Sequence, residues 1–170
     1  MNYTPKHKDV TMRAIYAFLL LFSMVIVNVG TGLVHTILMS IALVMLAVGA
    51  FLFIRYDLTS FTYIAIEKEK DFDFFIDKTV GKRNGYVCYY PLSDAISLEK
   101  WGRETKKALK ARYGKIFFYN YCHNQFKTEK QVLVFKNDNY YDAVIIELGE
   151  YQNQLQALID SAEKVTTDEE

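Results

Sequence analysis

The sequence predicts an α+β membrane protein: an N-terminal transmembrane helical hairpin, then an antiparallel β-rich domain closed by a C-terminal amphipathic helix. Three observations predict it. No Asp, Glu, Lys or Arg occurs in residues 14–54, whereas residues 55–170 carry 36 of the 40 such residues. From Tyr56 onward the chain is enriched in aromatic and β-branched residues with turn signals at short intervals, the composition of antiparallel sheet. From Glu150 onward apolar residues recur at helical spacing. Basic and acidic residues balance at 20 each in 170 residues. With the charge so segregated, a uniformly mixed soluble domain, a strongly basic nucleic-acid-binding protein and a disordered chain are all disfavoured. No nucleic-acid partner is expected.

Residues 1–13 read as a short cytoplasmic segment. Residues 14–30 and 32–54 are apolar runs of 17 and 23 residues. A helix needs about 20 such residues to cross the hydrocarbon core, with about 17 as the lower limit. Neither run has the polar stripe of a soluble amphipathic helix, and backbone groups in lipid must bond internally, so both read as spanning helices. A signal peptide is the rival reading for the first run, with Lys6, Lys8 and Arg13 as its charged region. The second run starts almost at once, which suits a hairpin better. Lys6, Lys8 and Arg13 precede the pair, Arg55, Lys68 and Lys70 follow it, and the connection has no basic residue. Positive charge stays inside, so both termini are expected in the cytoplasm of a two-span cell-membrane protein.

Finer expectations follow. Tyr16 and Tyr56 belong near the cytoplasmic interface, and Asn28, Gly30, Thr31 and Gly32 suit a tight outer turn. His35 sits about 4.5 Å of rise into the second helix, at headgroup depth, where an interfacial hydrogen bond is its expected role. The small residues Ser40 and Ala47, and Ala42 and Gly49, would let the helices approach closely. With no carboxylate or Arg in either span, no ion pathway is expected.

Residues 56–164 are expected to form the cytoplasmic domain, with 165–170 as a disordered acidic tail. Strands are predicted at 60–67, 72–80, 86–90, 115–122, 131–136 and 141–148. In the second of these, Phe72, Phe74, Ile76 and Val80 alternate with Asp73, Asp77 and Thr79, a dry face and a polar one. Residues 81–85 contain Asn84-Gly85, a strong hairpin signal. Tyr151, Leu155, Leu158, Ile159 and Ala162 form one stripe of a helix over 150–164, with Gly149 as N-cap. Residues 92–114 read as a short strand and then a basic helical or loop insertion.

A strand-rich domain closed by one amphipathic helix resembles the pleckstrin-homology-like fold. Tyr90-Pro91-Leu92-Ser93-Asp94-Ala95-Ile96-Ser97-Leu98-Glu99 resembles a stretch of the bacterial PH-like domains, and Val144-Ile145-Ile146-Glu147 before the last helix resembles their ending. With two N-terminal spans, the architecture is similar to an uncharacterised two-span bacterial membrane family with such a cytoplasmic domain. That resemblance implies a fold and no reaction.

Two basic clusters are candidate contact sites. Lys82 and Arg83 lie on the expected hairpin tip, where eukaryotic PH domains hold phosphoinositide phosphates; two adjacent cations also suit a merely solvated turn. Arg103, Lys106, Lys107, Lys110, Arg112 and Lys115 form a run with a single acid, Glu104, and Trp101 beside it. Near an anionic leaflet each cation contributes about 1 kcal/mol of attraction, provided it faces lipid; otherwise the run is an exposed face for a protein partner. Asp71-Phe72-Asp73 matches a two-aspartate metal motif but fits strand alternation better. Cys88 and Cys122 are expected as free thiols in a reducing compartment. Cys122 and His123, as strand neighbours, should point apart. There is no Cys-x-x-Cys, phosphate-cradling loop or nucleophile elbow, so no cofactor, metal or catalytic set is expected. The reading is a non-enzymatic, membrane-anchored module that binds a protein partner or anionic lipid headgroups. The alternative is an accessory subunit of a larger membrane complex such as a transporter. An enzymatic reading would need a polar pocket around Cys122, His123 or Asp73.

Overall fold

The computed structural model describes residues 1–6, 9–28, 32–68, 71–126 and 128–167, without the side chains of 32–34, 71 and 163–167. The chain divides into two compact units. One comprises Met1–Lys6, Ser60–His123 and Thr128–Glu170; the other comprises His7–Thr59 and Asn124–Lys127.

The second unit is built on two helices, α1 (Val10–Val27) and α2 (Gly32–Phe53). At 1.5 Å per residue they measure about 27 and 33 Å, and both are long and apolar enough to cross a membrane. α1 starts four residues before the expected 14, because the Asp9 carboxylate caps it by accepting the Met12 N–H at 3.2 Å. Arg13 therefore lies inside the helix, and both its Nε and Nη2 donate to Oδ1 of Asp57. α2 passes directly into a π-helical turn, Ile54–Leu58. Along the seam Met12, Tyr16, Ser23 and Ala42 are buried. A Cβ on Gly49 would lie 3.0 Å from Cδ2 of Leu20, so only glycine allows that approach without displacement. Ala42 and Gly49 thus serve the packing expected of them, whereas Ser40 and Ala47 face outward. Tyr16 packs edge-on against Phe53 at 5.6 Å and is only 7% exposed, so its ring contributes to the packing of the two helices. The expected turn at Gly30-Thr31 lies outside the described residues.

The first unit holds two four-stranded sheets and two helices. One sheet has the order β1 (Asn2–Tyr3), β2 (Thr59–Lys68), β3 (Asp71–Val80), β4 (Arg83–Pro91). β1 was not expected: residues before the hairpin pair with residues after it, Asn2 opposite Ile64 and Tyr3 opposite Tyr63. The β3–β4 turn is Gly81-Lys82, with Val80 opposite Arg83. Gly81 has φ +60°, as required of glycine at the first central position of a two-residue hairpin. Asn84-Gly85, the expected turn, is instead paired strand opposite Thr79 and Lys78.

The other sheet has the order β5 (Ala95–Lys100), β7 (Gln131–Lys136), β8 (Tyr141–Ile146), β6 (Ile116–Asn120). α3 (Arg103–Tyr113) stands between β5 and β6, and α4 (Gln152–Thr167) follows β8. β6 runs parallel to β8, so the sheets are mainly, not wholly, antiparallel. Adjacent elements in sequence usually neighbour in space, but here the highly apolar β8 takes the interior position between β7 and β6. Every residue from Gln131 to Phe135 and from Asp142 to Ile146 is buried, because both faces of this sheet are covered. Leu133, Phe135, Val144 and Ile146 pack with Phe61, Tyr63, Phe74 and Ile76 of the first sheet and with Leu155, Ile159 and Ala162 of α4. Val132, Val134, Ala143 and Ile145 pack on the opposite face with Leu109 of α3. Tyr63, fully buried, donates its hydroxyl to the Tyr121 carbonyl at 3.0 Å and accepts the Glu147 N–H at 3.2 Å.

The apolar stripe of the last helix is as expected, but Gly149–Tyr151 is a 3-10 turn and α4 begins at Gln152. It runs to Thr167, so residues 165–167 are helical rather than tail; 168–170 lie outside the described residues.

Candidate functional site

The basic run is divided by the geometry of α3. Gly102 starts the helix, and Leu109 is its buried anchor in the second core. At about 100° per residue, Lys106, Lys110, Arg103 and Lys107 fall about 60°, 100°, 120° and 160° round from Leu109, all on one flank. All four are exposed. Their described contacts are weak: Lys106 Nζ lies 5.5 Å from the Phe118 ring centroid, and Lys107 Nζ is 4.0 Å from Oε1 of the exposed Glu104. Arg112 falls on the opposite flank, where its Nη1 donates to Oε1 of Glu99 at 3.0 Å. Lys115 lies past the helix, its Nζ 5.8 Å from the Tyr140 ring centroid. The expected six-cation surface is therefore a four-cation flank.

Trp101 is not part of that flank. It is half-buried among the residues packed on the Leu109 core, its ring 5.5 Å from that of Phe118 and its backbone N–H donated to the Lys130 carbonyl at 2.8 Å. Lys82 and Arg83 are exposed at the β3–β4 turn, Arg83 as the first residue of β4. The structure brings neither of them together with the α3 cations by any described contact.

The acidic and thiol candidates also move. Asp73 is buried rather than on a wet face: it accepts the Tyr89 hydroxyl at 2.9 Å, with Lys68 Nζ at 3.8 Å. The ladder shifts register between Ile76 and Asp77, which breaks the simple alternation read from the sequence. The Asp71 side chain lies outside the described residues, and among the described residues no cluster of three His, Cys, Asp or Glu could hold a metal. Both thiols are free. Burial pushes the half-buried Cys88 thiol up to about 12 and, with Cys88 beside it, the Tyr121 phenol to about 12. β6 ends at Asn120, so Cys122 and His123 are not strand neighbours; both are buried, and Cys122 Sγ donates to the Ile145 carbonyl at 3.5 Å.

Two acids escaped the sequence reading. Asp9, which carries no role in the sequence reading of residues 1–13 as a cytoplasmic segment, is fully buried. Asp142, on the inward phase of β8 with Val144 and Ile146, is 6% exposed. Its position two residues before Val144 in an apolar strand was the available signal. No protein-family model, no curated protein and no solved structure matches the chain, so its own residues carry the functional argument.

Proposed function

We propose that this chain is a non-enzymatic interaction module, held at the inner leaflet of the cell membrane by its helical hairpin, with the four-cation flank of α3 engaging anionic lipid headgroups. One observation carries the reading: away from the seam between them, both helices point large apolar side chains outward, among them Phe18 61%, Leu21 66%, Leu43 65% and Phe51 66% exposed. Water would penalise so much apolar surface, and lipid does not. Pairing of β1 with β2 supports an even number of spans, since a bilayer cannot lie between hydrogen-bonded strands. The basic residues on both flanks of the hairpin then favour the cytoplasm.

Two sheets around one core with a C-terminal helix against it support kinship with the PH-like fold, while α3 and the parallel β6–β8 pair depart from a simple version of it. Four cations near an anionic surface supply at most about 4 kcal/mol of attraction, about a thousandfold. The test uses the full chain, because β1 would be lost from an excised domain. In nanodiscs containing phosphatidylglycerol, amide exchange over 103–113 should be slower than in pure phosphatidylcholine, and the difference should vanish in Lys106→Glu/Lys107→Glu/Lys110→Glu or at high salt. Equal exchange in both lipids would exclude lipid contact. The outward Ser40 and Ala47 favour a second reading, an accessory subunit whose hairpin packs on foreign helices. Recovery of the native protein only as monomer or homodimer would count against it.

A further inference from the structure

We propose that Asp142 and the aromatic side chains around it form a binding site for a primary alkylammonium group. Asp142 stands in one cross-strand row, opposite Phe135 on β7 and Phe117 on β6. Both its described hydrogen bonds fall on a single oxygen: Oδ2 accepts the Tyr90 hydroxyl at 3.0 Å and Asn137 Nδ2 at 2.8 Å. Oδ1 is buried and has no partner among the described residues. Neither donor carries charge, and no described Lys or Arg forms an ion pair with this carboxylate. A buried carboxylate held by neutral donors on one side only lacks a cation.

The surroundings fit one kind of cation. The Tyr90 ring stacks on Phe135 with centroids 4.2 Å apart and planes 10° apart. Tyr119 lies two residues along β6 from Phe117, and burial first and the nearby Asp142 second raise its phenol above the ordinary value. Aromatic faces attract a desolvated ammonium, and Oδ1 accepts one of its N–H bonds, a role that an N–H-free quaternary ammonium cannot fill. A hydrated metal ion would find one carboxylate and, among the described residues, no cluster of ligands to complete its shell. Access is from the edge of the sheet, since β6 is an outer strand and Phe117 and Tyr119 are 46% and 38% exposed. The ammonium is that of a lipid ethanolamine headgroup or of a free amine. This site shares no residue with the α3 flank and does not depend on its lipid contact.

The experiment follows the thermal midpoint of the full chain in phosphatidylcholine nanodiscs, titrated with ethanolammonium chloride against potassium chloride and tetramethylammonium chloride at equal ionic strength. Ethanolammonium alone should give a saturable rise, absent in Asp142→Asn and at least tenfold weaker in Tyr119→Ala, whose exposed ring makes folding robust to the change. Replacing part of the phosphatidylcholine with phosphatidylethanolamine then separates the sources: a raised midpoint without free amine assigns the headgroup, an unchanged one assigns the free amine, and either outcome supports the site. No saturable rise over potassium, an equal response to tetramethylammonium, or an undiminished response in Asp142→Asn overturns it.

Discussion

Asp9→Ala tests the reasoning most sharply, because one buried carboxylate serves two separate segments of the hairpin unit. Its Oδ1 accepts the Met12 N–H at 3.2 Å, and its Oδ2 accepts the N–H groups of Gln125 at 3.0 Å and Phe126 at 2.8 Å. Loss of the cap costs about 1 kcal/mol of helix stability. Each bond from a loop amide to a charged acceptor contributes about 1.5–3 kcal/mol. Gln125 and Phe126 are exposed residues whose amides regain water on opening, so the low end applies, about 3 kcal/mol for the pair. Amide exchange at Gln125 and Phe126, measured on the full chain in nanodiscs, should therefore accelerate by about a hundredfold in Asp9→Ala. Asp9→Asn keeps one oxygen for the loop but turns an NH2 toward the Met12 N–H, so exchange at Met12 should rise while the loop amides change little. Unchanged protection of Gln125 and Phe126 in Asp9→Ala would refute the argument that this carboxylate holds the 124–127 segment.

Four further outcomes are expected. Burial raises Cys88 from an ordinary 9 to about 12, so at pH 8 iodoacetamide should alkylate it about a thousandfold more slowly than an unshifted thiol, and complete labelling at the rate of glutathione by mass spectrometry would contradict its burial. The same proton is held more tightly by the folded than the unfolded chain, as are those of Tyr63 and Tyr121; stability is therefore intact below about pH 9 and falls as pH rises toward 12, which alkaline titration of the thermal midpoint checks. Gly49→Leu should cost about 1–3 kcal/mol by driving a side chain into Leu20, while Ala47→Leu, on an exposed position, should be neutral; the thermal midpoints of the two variants in nanodiscs check both. Leu109→Ala, emptying the fully buried anchor under α3, should cost about 2–5 kcal/mol, and a change below 1 kcal/mol in denaturant unfolding would show that α3 is not held by that contact.

The sequence by itself determined what depends on local pattern. Forty-one consecutive uncharged residues dictate two apolar helices whatever surrounds them, since only burial in oil or protein satisfies such surfaces. The short β-branched apolar runs at 131–136 and 141–146 and the Leu155, Ile159, Ala162 stripe specify β7, β8 and α4 because such local patterns are properties of the chain. The basic residues of 103–115 were legible as a cluster for the same reason. Tertiary structure decided everything that requires a second segment. Strand β1 exists only because Tyr63 and Ile64 lie opposite Tyr3 and Asn2; two residues carry no periodicity of their own. The hairpin turn settled on Gly81-Lys82 rather than Asn84-Gly85 because the register of β3 against β4 outweighs a dipeptide preference. The six cations became four plus two once Leu109 chose which side of α3 to bury and Glu99 took Arg112. Asp9 and Asp142 look like ordinary surface acids in the sequence. The strand phase of Asp142 is a local hint, but the bonds that hold the two acids reach partners 116 and 52 positions away, and no window of neighbouring residues names those partners.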